Sequence, residues 1–148
     1  MRVHLKQQIN ASPEAVFSVS ADIERWPEVI NGVERTEVLT EGPVGAGTKF
    51  HETRVMMKKE VTEVMAITSF DPPREYVVES DSCGSHFRTV MRFHPVGSET
   101  CMELEMVSKP TTVMARLLSP MMLLMKGTIQ KLIARDMRDL AAALEQAD

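Results

Sequence analysis

Glu52, Arg54 and Glu63 fall on what reads as the apolar face of a β-hairpin, and they are the side chains best placed to do chemistry. A carboxylate in an apolar cavity has its proton affinity raised by desolvation and can act as a general base. A guanidinium beside it can instead hold it ionised, or polarise a carbonyl. Tyr76, Ser80 and Thr89 fall on the same expected face, where they either orient a carbonyl or hydroxyl or make structural hydrogen bonds. Better-known constellations are missing. His51-Glu52 begins like a zinc-protease motif, but Val55 stands where the second histidine is required. His4, His51, His86 and His94 are scattered, no GxSxG occurs, and Cys83-Gly84 has no evident local partner. Cys83 and Cys101 are isolated, so reduced structural thiols are expected, with neither a metal nor a cofactor.

The facing of these groups rests on two hairpin registers. Gly97-Ser98 is a good two-residue turn, and pairing Val96 with Glu99 sets Phe93 opposite Met102, Met91 opposite Leu104, Thr89 opposite Met106 and Phe87 opposite Ser108. One face is then apolar and the other carries Arg88, Arg92, His94, Glu103 and Glu105, which supports the register. A second turn at Lys58-Lys59, pairing Met57 with Glu60, sets Phe50 opposite Ile67, Glu52 opposite Met65, Arg54 opposite Glu63 and Met56 opposite Val61. Its inner face mixes Phe50, Met56, Val61, Met65 and Ile67 with the three charges. Charge on an inner face is costly unless paired or wet. Either Arg54 and Glu63 close an ion pair with Glu52 nearby, or the face lines a solvated cavity, or these charges lie near a strand end, or the register differs. An Arg54–Glu63 salt bridge across neighbouring strands is the expectation.

The elements that position these residues follow in order. Residues 2–9 alternate as a half-buried strand. Ser12-Pro13-Glu14 starts a short helix, and a second is expected from Asp22 to Trp26, ending before Pro27, with Trp26 as a packing anchor. From Gly32 to Ser108 the chain reads as strands: 48–57, 60–69, 74–81, 85–94 and 100–109, with a turn at Asp71-Pro72-Pro73. The glycine-rich loop from Glu41 to Gly47 is no P-loop, because no Gly-Lys-Ser/Thr follows.

Residues 112–148 form the helical remainder. A short helix over about 112–118 precedes a main helix from about 120 to 146, started by Ser119 as N-cap and Pro120 at the first position and roughly 40 Å long. Ile129, Leu132, Ile133, Met137, Leu140, Ala141 and Leu144 make an apolar stripe in its second half. The earlier part, from Val113 to Met125, is apolar nearly all round and so expects apolar material on every side, a ligand included. Between the soft points at Ser119-Pro120 and Gly127, the segment from Leu118 to Gly127 reads as a lid and ligand-contacting wall bearing Met121 and Met125.

Bulk properties bound the rest. With 148 residues, 43% apolar and 26% charged, the chain reads as one domain over residues 1–148. Its net charge of −4, without a basic cluster, argues against a nucleic-acid partner. No apolar run reaches the length of a membrane span or a signal peptide, so a soluble cytoplasmic protein is the simplest reading. Twelve methionines against one Trp and one Tyr mean a Met-rich core or a plastic hydrophobic pocket.

The blocks Ile9-Asn-Ala-Ser-Pro-Glu-Ala-Val-Phe17, Asp22 with Trp26-Pro27, and Val44-Gly-Ala-Gly-Thr-Lys-Phe50 resemble the START-like (SRPBCC) superfamily in its polyketide cyclase/dehydrase branch. The resemblance covers nearly the whole chain. It implies an α+β helix-grip fold: a seven-stranded antiparallel sheet curved around a long C-terminal helix, two short helices after the first strand, and a cavity between. Members bind or transport lipids, sterols, quinones or polyketides, and some cyclise or dehydrate them, with no universal catalytic motif to carry over. The expected function is therefore binding or transport of a hydrophobic small molecule by Phe50, Glu52, Arg54, Glu63, Met65, Tyr76, Thr89, Met91, Met106, Met121 and Met125. The alternatives are a cyclase or dehydratase using Glu52 or Glu63 as base with Arg54 or Tyr76 polarising a carbonyl, and a protein- or membrane-docking module. Transient membrane contact and a homodimer stay open.

Overall fold

Turn chemistry and alternating polarity build a single sheet around one long helix. The computed structural model describes residues 1–56 and 58–146. In chain order it has β1 (Arg2–Ile9), α1 (Pro13–Ser20), a 3-10 turn (Ile23–Arg25), α2 (Trp26–Val29), β2 (Val33–Val38), β3 (Lys49–Met56) and β4 (Lys59–Asp71). Then come β5 (Glu75–Ser82), β6 (Ser85–Val96), β7 (Glu99–Pro110), α3 (Val113–Leu117), α4 (Ser119–Leu124) and α5 (Lys126–Gln146). The seven strands form one antiparallel sheet in the order β1-β7-β6-β5-β4-β3-β2, a meander closed by β1 on β7.

The β6–β7 ladder follows the expected register throughout, with Val96 on Glu99, Met91 on Leu104 and Thr89 on Met106. The β3–β4 ladder does not. Met56 pairs with Lys59, so Arg54 faces Val61, Glu52 faces Glu63 and Phe50 faces Met65, a slip of two residues from the expected pairing. Lys58 takes a positive φ of 67°, as a tight turn requires even without glycine. The slipped ladder also sets Thr53 against Thr62, whose hydroxyls bond at 2.8 Å. A slip of two keeps every side chain on its face, so the inner-face assignment survives while the cross-strand partners change.

Ser12 caps α1, its hydroxyl accepting from the Ala15 amide. Pro27 does not end a helix as expected but sits in the first turn of α2, where its missing N–H costs nothing. The C-terminal helix is shorter than expected. It breaks at Met125, leaving α5 with 21 residues, about 31 Å at 1.5 Å each. Ser119 is not an N-cap; its hydroxyl donates to the Arg116 carbonyl, whereas Thr112 caps α3.

The C-terminal part of the α5 stripe faces the core: Met137, Leu140, Ala141 and Leu144 are buried, Ile129 and Ile133 are half-buried, and Leu132 is exposed. At the α1 end the interior is filled by aromatic rings. Phe17 makes edge contacts with Phe70, Tyr76 and Phe93 at 5.2, 5.7 and 5.3 Å between centroids. The expectation for residues 113–125 fails. Val113, Met114, Leu117, Leu118, Met121, Leu123, Leu124 and Met125 are exposed, because α3 and α4 lie over the β5–β6 turn and the start of α5 rather than inside the sheet's curve. No helix among the described residues is long and apolar enough to cross a membrane.

Candidate functional site

Beyond the aromatic end, the inner face of the sheet and α5 leave a groove. Two compartments of about 170 and 260 Å³ share Arg54, Met65, Val78, Thr89, Met106, Ile133 and Asp136 as walls. The deeper one adds Trp26, Ile30, Glu52, Tyr76, Met91, Leu104, Met137 and Leu140; the outer one adds Met56, Glu63, Ser80, Phe87, Ile129 and Leu132. The walls are mostly apolar, with polar groups converging from β3, β4 and α5, the usual form of a small-molecule site.

Arg54 organises those polar groups. Its Nε donates to Glu52 Oε1 at 2.8 Å, and its two terminal nitrogens donate to Asp136 at 2.7 and 3.3 Å. Glu52 and Arg54 lie two apart on one strand and therefore on one face. Asp136 comes from α5, so the triad ties helix to sheet. A second tie runs from the Asn31 amide to Asp139 Oδ2 at 3.0 Å. Gly32 leaves room for the triad: a Cβ there would sit 3.0 Å from Arg54 Nη1 and 3.5 Å from Asp136 Oδ1. Glu52 is only 6% exposed. Burial works against the charge on Arg54, but the hydrogen bonds and charges of Asp136 and Glu52 outweigh it and lift its pKa above the ordinary value.

The Arg54–Glu63 ion pair is not formed. Glu63 accepts instead from the Ser82 hydroxyl at 3.0 Å. The two-residue slip places Glu63 across from Glu52, and Asp136 takes the guanidinium face that Glu63 was expected to fill.

Tyr76 forms part of the floor. Its hydroxyl lies 2.7 Å from Ser20 Oγ and 3.2 Å from the Ser20 carbonyl, to which the Trp26 indole also donates at 2.9 Å. These bonds satisfy the end of α1. Burial, opposed by the Ser20 bond and reinforced by the Glu52 charge, pushes the phenol up to about 12, so it stays neutral. With its hydroxyl committed to Ser20, Tyr76 serves the groove as a wall rather than as a carbonyl-polarising donor.

Of the residues expected at the site, Glu52, Arg54, Glu63, Met65, Tyr76, Thr89, Met91 and Met106 line the groove. Phe50 does not; it is fully buried behind the groove against Trp26, with centroids 5.5 Å apart. Met121 and Met125 stand on the surface, outside the groove walls, because the helix breaks at Met125 and α4, with Met125 as its cap, is separate from the gripped helix α5. Asp136, Trp26 and Val78 were not anticipated. Asp136 had a signal: it is an acid set within the apolar stripe, three after Ile133 and four before Leu140.

A long helix gripped by a seven-stranded antiparallel sheet, with short helices after the first strand, defines the helix-grip architecture of START-like proteins. The family profile described as polyketide cyclase / dehydrase and lipid transport matches residues 1–145, and the chain belongs to that family. The fold is similar to that of a START superfamily protein from Mycobacterium smegmatis, at 14% identity and TM-score 0.76 over 99% of both chains. It is also similar to an aromatase/cyclase from Streptomyces, at 14% identity and TM-score 0.78 over 99% of this chain and 94% of that one. A Thermus thermophilus protein matches at 23% identity and TM-score 0.72 over 97% of this chain and 99% of that one. No curated protein matches in sequence.

Proposed function

We propose that this protein binds a hydrophobic small molecule, neutral or cationic at its polar end, in the groove between the sheet and α5. The observation that carries the reading is the groove itself: apolar walls of Met65, Val78, Met91, Met106 and Ile133 around one polar cluster. The cyclase/dehydrase and lipid-transport family supports it. The preference for charge follows from the Arg54 triad. Three carboxylates, those of Glu52, Glu63 and Asp136, line the groove with one guanidinium, whose donors go to Glu52 and Asp136. An anionic head group would meet uncompensated negative charge in a poorly solvated site. A hydroxyl or an amine would donate to a carboxylate instead.

Trp26 is the sole tryptophan and lines the groove, so its fluorescence reports occupancy. Titrations with decanol, decylamine and decanoate are the test. The first two are expected to act at concentrations at least about tenfold below decanoate, a difference of ~1.4 kcal/mol. Tightest binding by decanoate would reverse the charge account. No response to any of the three would remove the groove as a ligand site.

A specific observation also supports an enzymatic reading. Glu63 lines the outer compartment, accepts from Ser82 and makes no ion pair among the described residues, and in this reading it is the carboxylate that takes a proton from a bound polyketide-like substrate.

A further inference from the structure

The exposed apolar surface of α3 and α4 plays no part in the groove. Leu124 is 86% exposed and Leu117 71%, with Val113, Met114, Met121 and Leu123 beside them. Both helices are too short to persist alone. They are held from beneath at the β5–β6 turn: the Gly84 carbonyl accepts from the Thr111 amide and hydroxyl at 2.8 and 2.9 Å, and Gly84 packs so closely on Thr112 and Ala115 that a Cβ there would sit 2.6 and 3.2 Å from them. The fold therefore fixes these side chains in an outward-facing position, where contiguous apolar surface marks an interaction site.

Charge indicates the partner. Between Glu105 and Asp136 the sequence has Lys109, Arg116, Lys126, Lys131 and Arg135 and no acidic residue, in a chain with 21 acidic and 17 basic side chains. We propose that α3, α4 and the first turns of α5 form a docking surface for an anionic lipid bilayer. Exposed leucines and methionines enter the acyl boundary while flanking lysines and arginines meet the head groups, as at other interfacial helices. The rest of the molecule carries the excess of acid and is repelled by such a surface, so the acid-free stretch also sets the orientation. A second copy of the chain fits this face poorly. A two-fold dimer would set the same cationic stretch against itself, with no acid from that stretch in either copy to offset it. The surface adjoins Ile129 and Leu132, which form the outer wall of the groove. Docking itself does not depend on the groove holding a ligand.

The test is flotation of the purified protein with vesicles of phosphatidylcholine alone, or of phosphatidylcholine and phosphatidylglycerol in equal parts. The protein is expected to float with the mixed vesicles, weakly with the neutral ones, and less as salt is raised. Leu117→Ser with Leu124→Ser, and separately Arg116→Glu with Lys126→Glu, are each expected to lower partitioning by about tenfold or more. Val96→Ser, an exposed apolar residue at the opposite end of β6, is expected to change nothing. Circular dichroism checks that the variants stay folded. The proposal is overturned by absence of flotation with the mixed vesicles, by equal flotation with both compositions, or by equal partitioning of the leucine variant and wild type. It is also overturned if sedimentation shows a dimer that the leucine variant dissolves while vesicles go unbound, which would assign the surface to a second copy.

Discussion

Replacing Arg54 by methionine is expected to destabilise the protein by about 3 kcal/mol at neutral pH, near the lower end of the range for breaking a buried ion pair. Methionine keeps much of the apolar stem, so the loss isolates the guanidinium. Two effects combine. Glu52, 6% exposed, loses its charged donor, and Asp136 loses its bidentate partner on α5. Both carboxylates then face each other across the groove without a cation between them. Partial solvent access to Arg54 and Asp136 keeps the cost below that of a fully enclosed pair. Adding Glu52→Gln to the same chain is expected to restore a large part of the loss, since the buried charge that was orphaned is itself removed. Urea unfolding of the two single variants and the double checks this. A change below about 0.5 kcal/mol for Arg54→Met would place the triad among solvated surface pairs.

Leu140→Ala is expected to cost about 3 kcal/mol, within the 2–5 kcal/mol typical of buried leucines. Leu140 is buried on the stripe of α5 and also lines the deeper compartment. The cost combines lost transfer free energy with the void left behind, and the rigid sheet opposite cannot collapse onto it. Because that void opens into the groove, the variant is expected to accept a bulkier hydrophobic ligand than wild type does. Denaturant unfolding measures the first effect. A loss under about 0.5 kcal/mol would mean the stripe does not face the core.

Legibility in the sequence followed the strength of the local signals. Gly97-Ser98 supplies a glycine with positive φ between two alternating strands, and its register could be read residue by residue. Lys58-Lys59 carries no such mark. The true turn puts a lysine in the left-handed region, and only the Thr53–Thr62 pairing, visible once the strands are aligned, favours the observed ladder. Because the error was an even number of residues, Glu52, Arg54, Glu63 and Met65 were still placed on the inner face. Asp136 is marked in the sequence only as an acid interrupting the apolar positions of α5, a pattern that fixes its face but not its partner on β3. The methionine-rich stretch misled for a different reason. A uniformly apolar helix signals contact with apolar material, but sequence does not say whether that material is the protein's own core or lies outside it.

That the groove between the sheet and α5 holds a hydrophobic ligand is a claim tested by filling the groove. Val78 and Thr89 both line the two compartments where they meet, and both lie on strands, where aromatic side chains are well tolerated. Wild type and the Val78→Phe, Thr89→Phe double variant are titrated with N-phenylnaphthylamine, a neutral hydrophobic probe, while its emission and that of Trp26 are followed. Saturable one-to-one binding to wild type, with loss of about tenfold or more in affinity for a folded double variant, is the result expected from occlusion of the site. Equal binding to both proteins, or none to wild type, would contradict the claim.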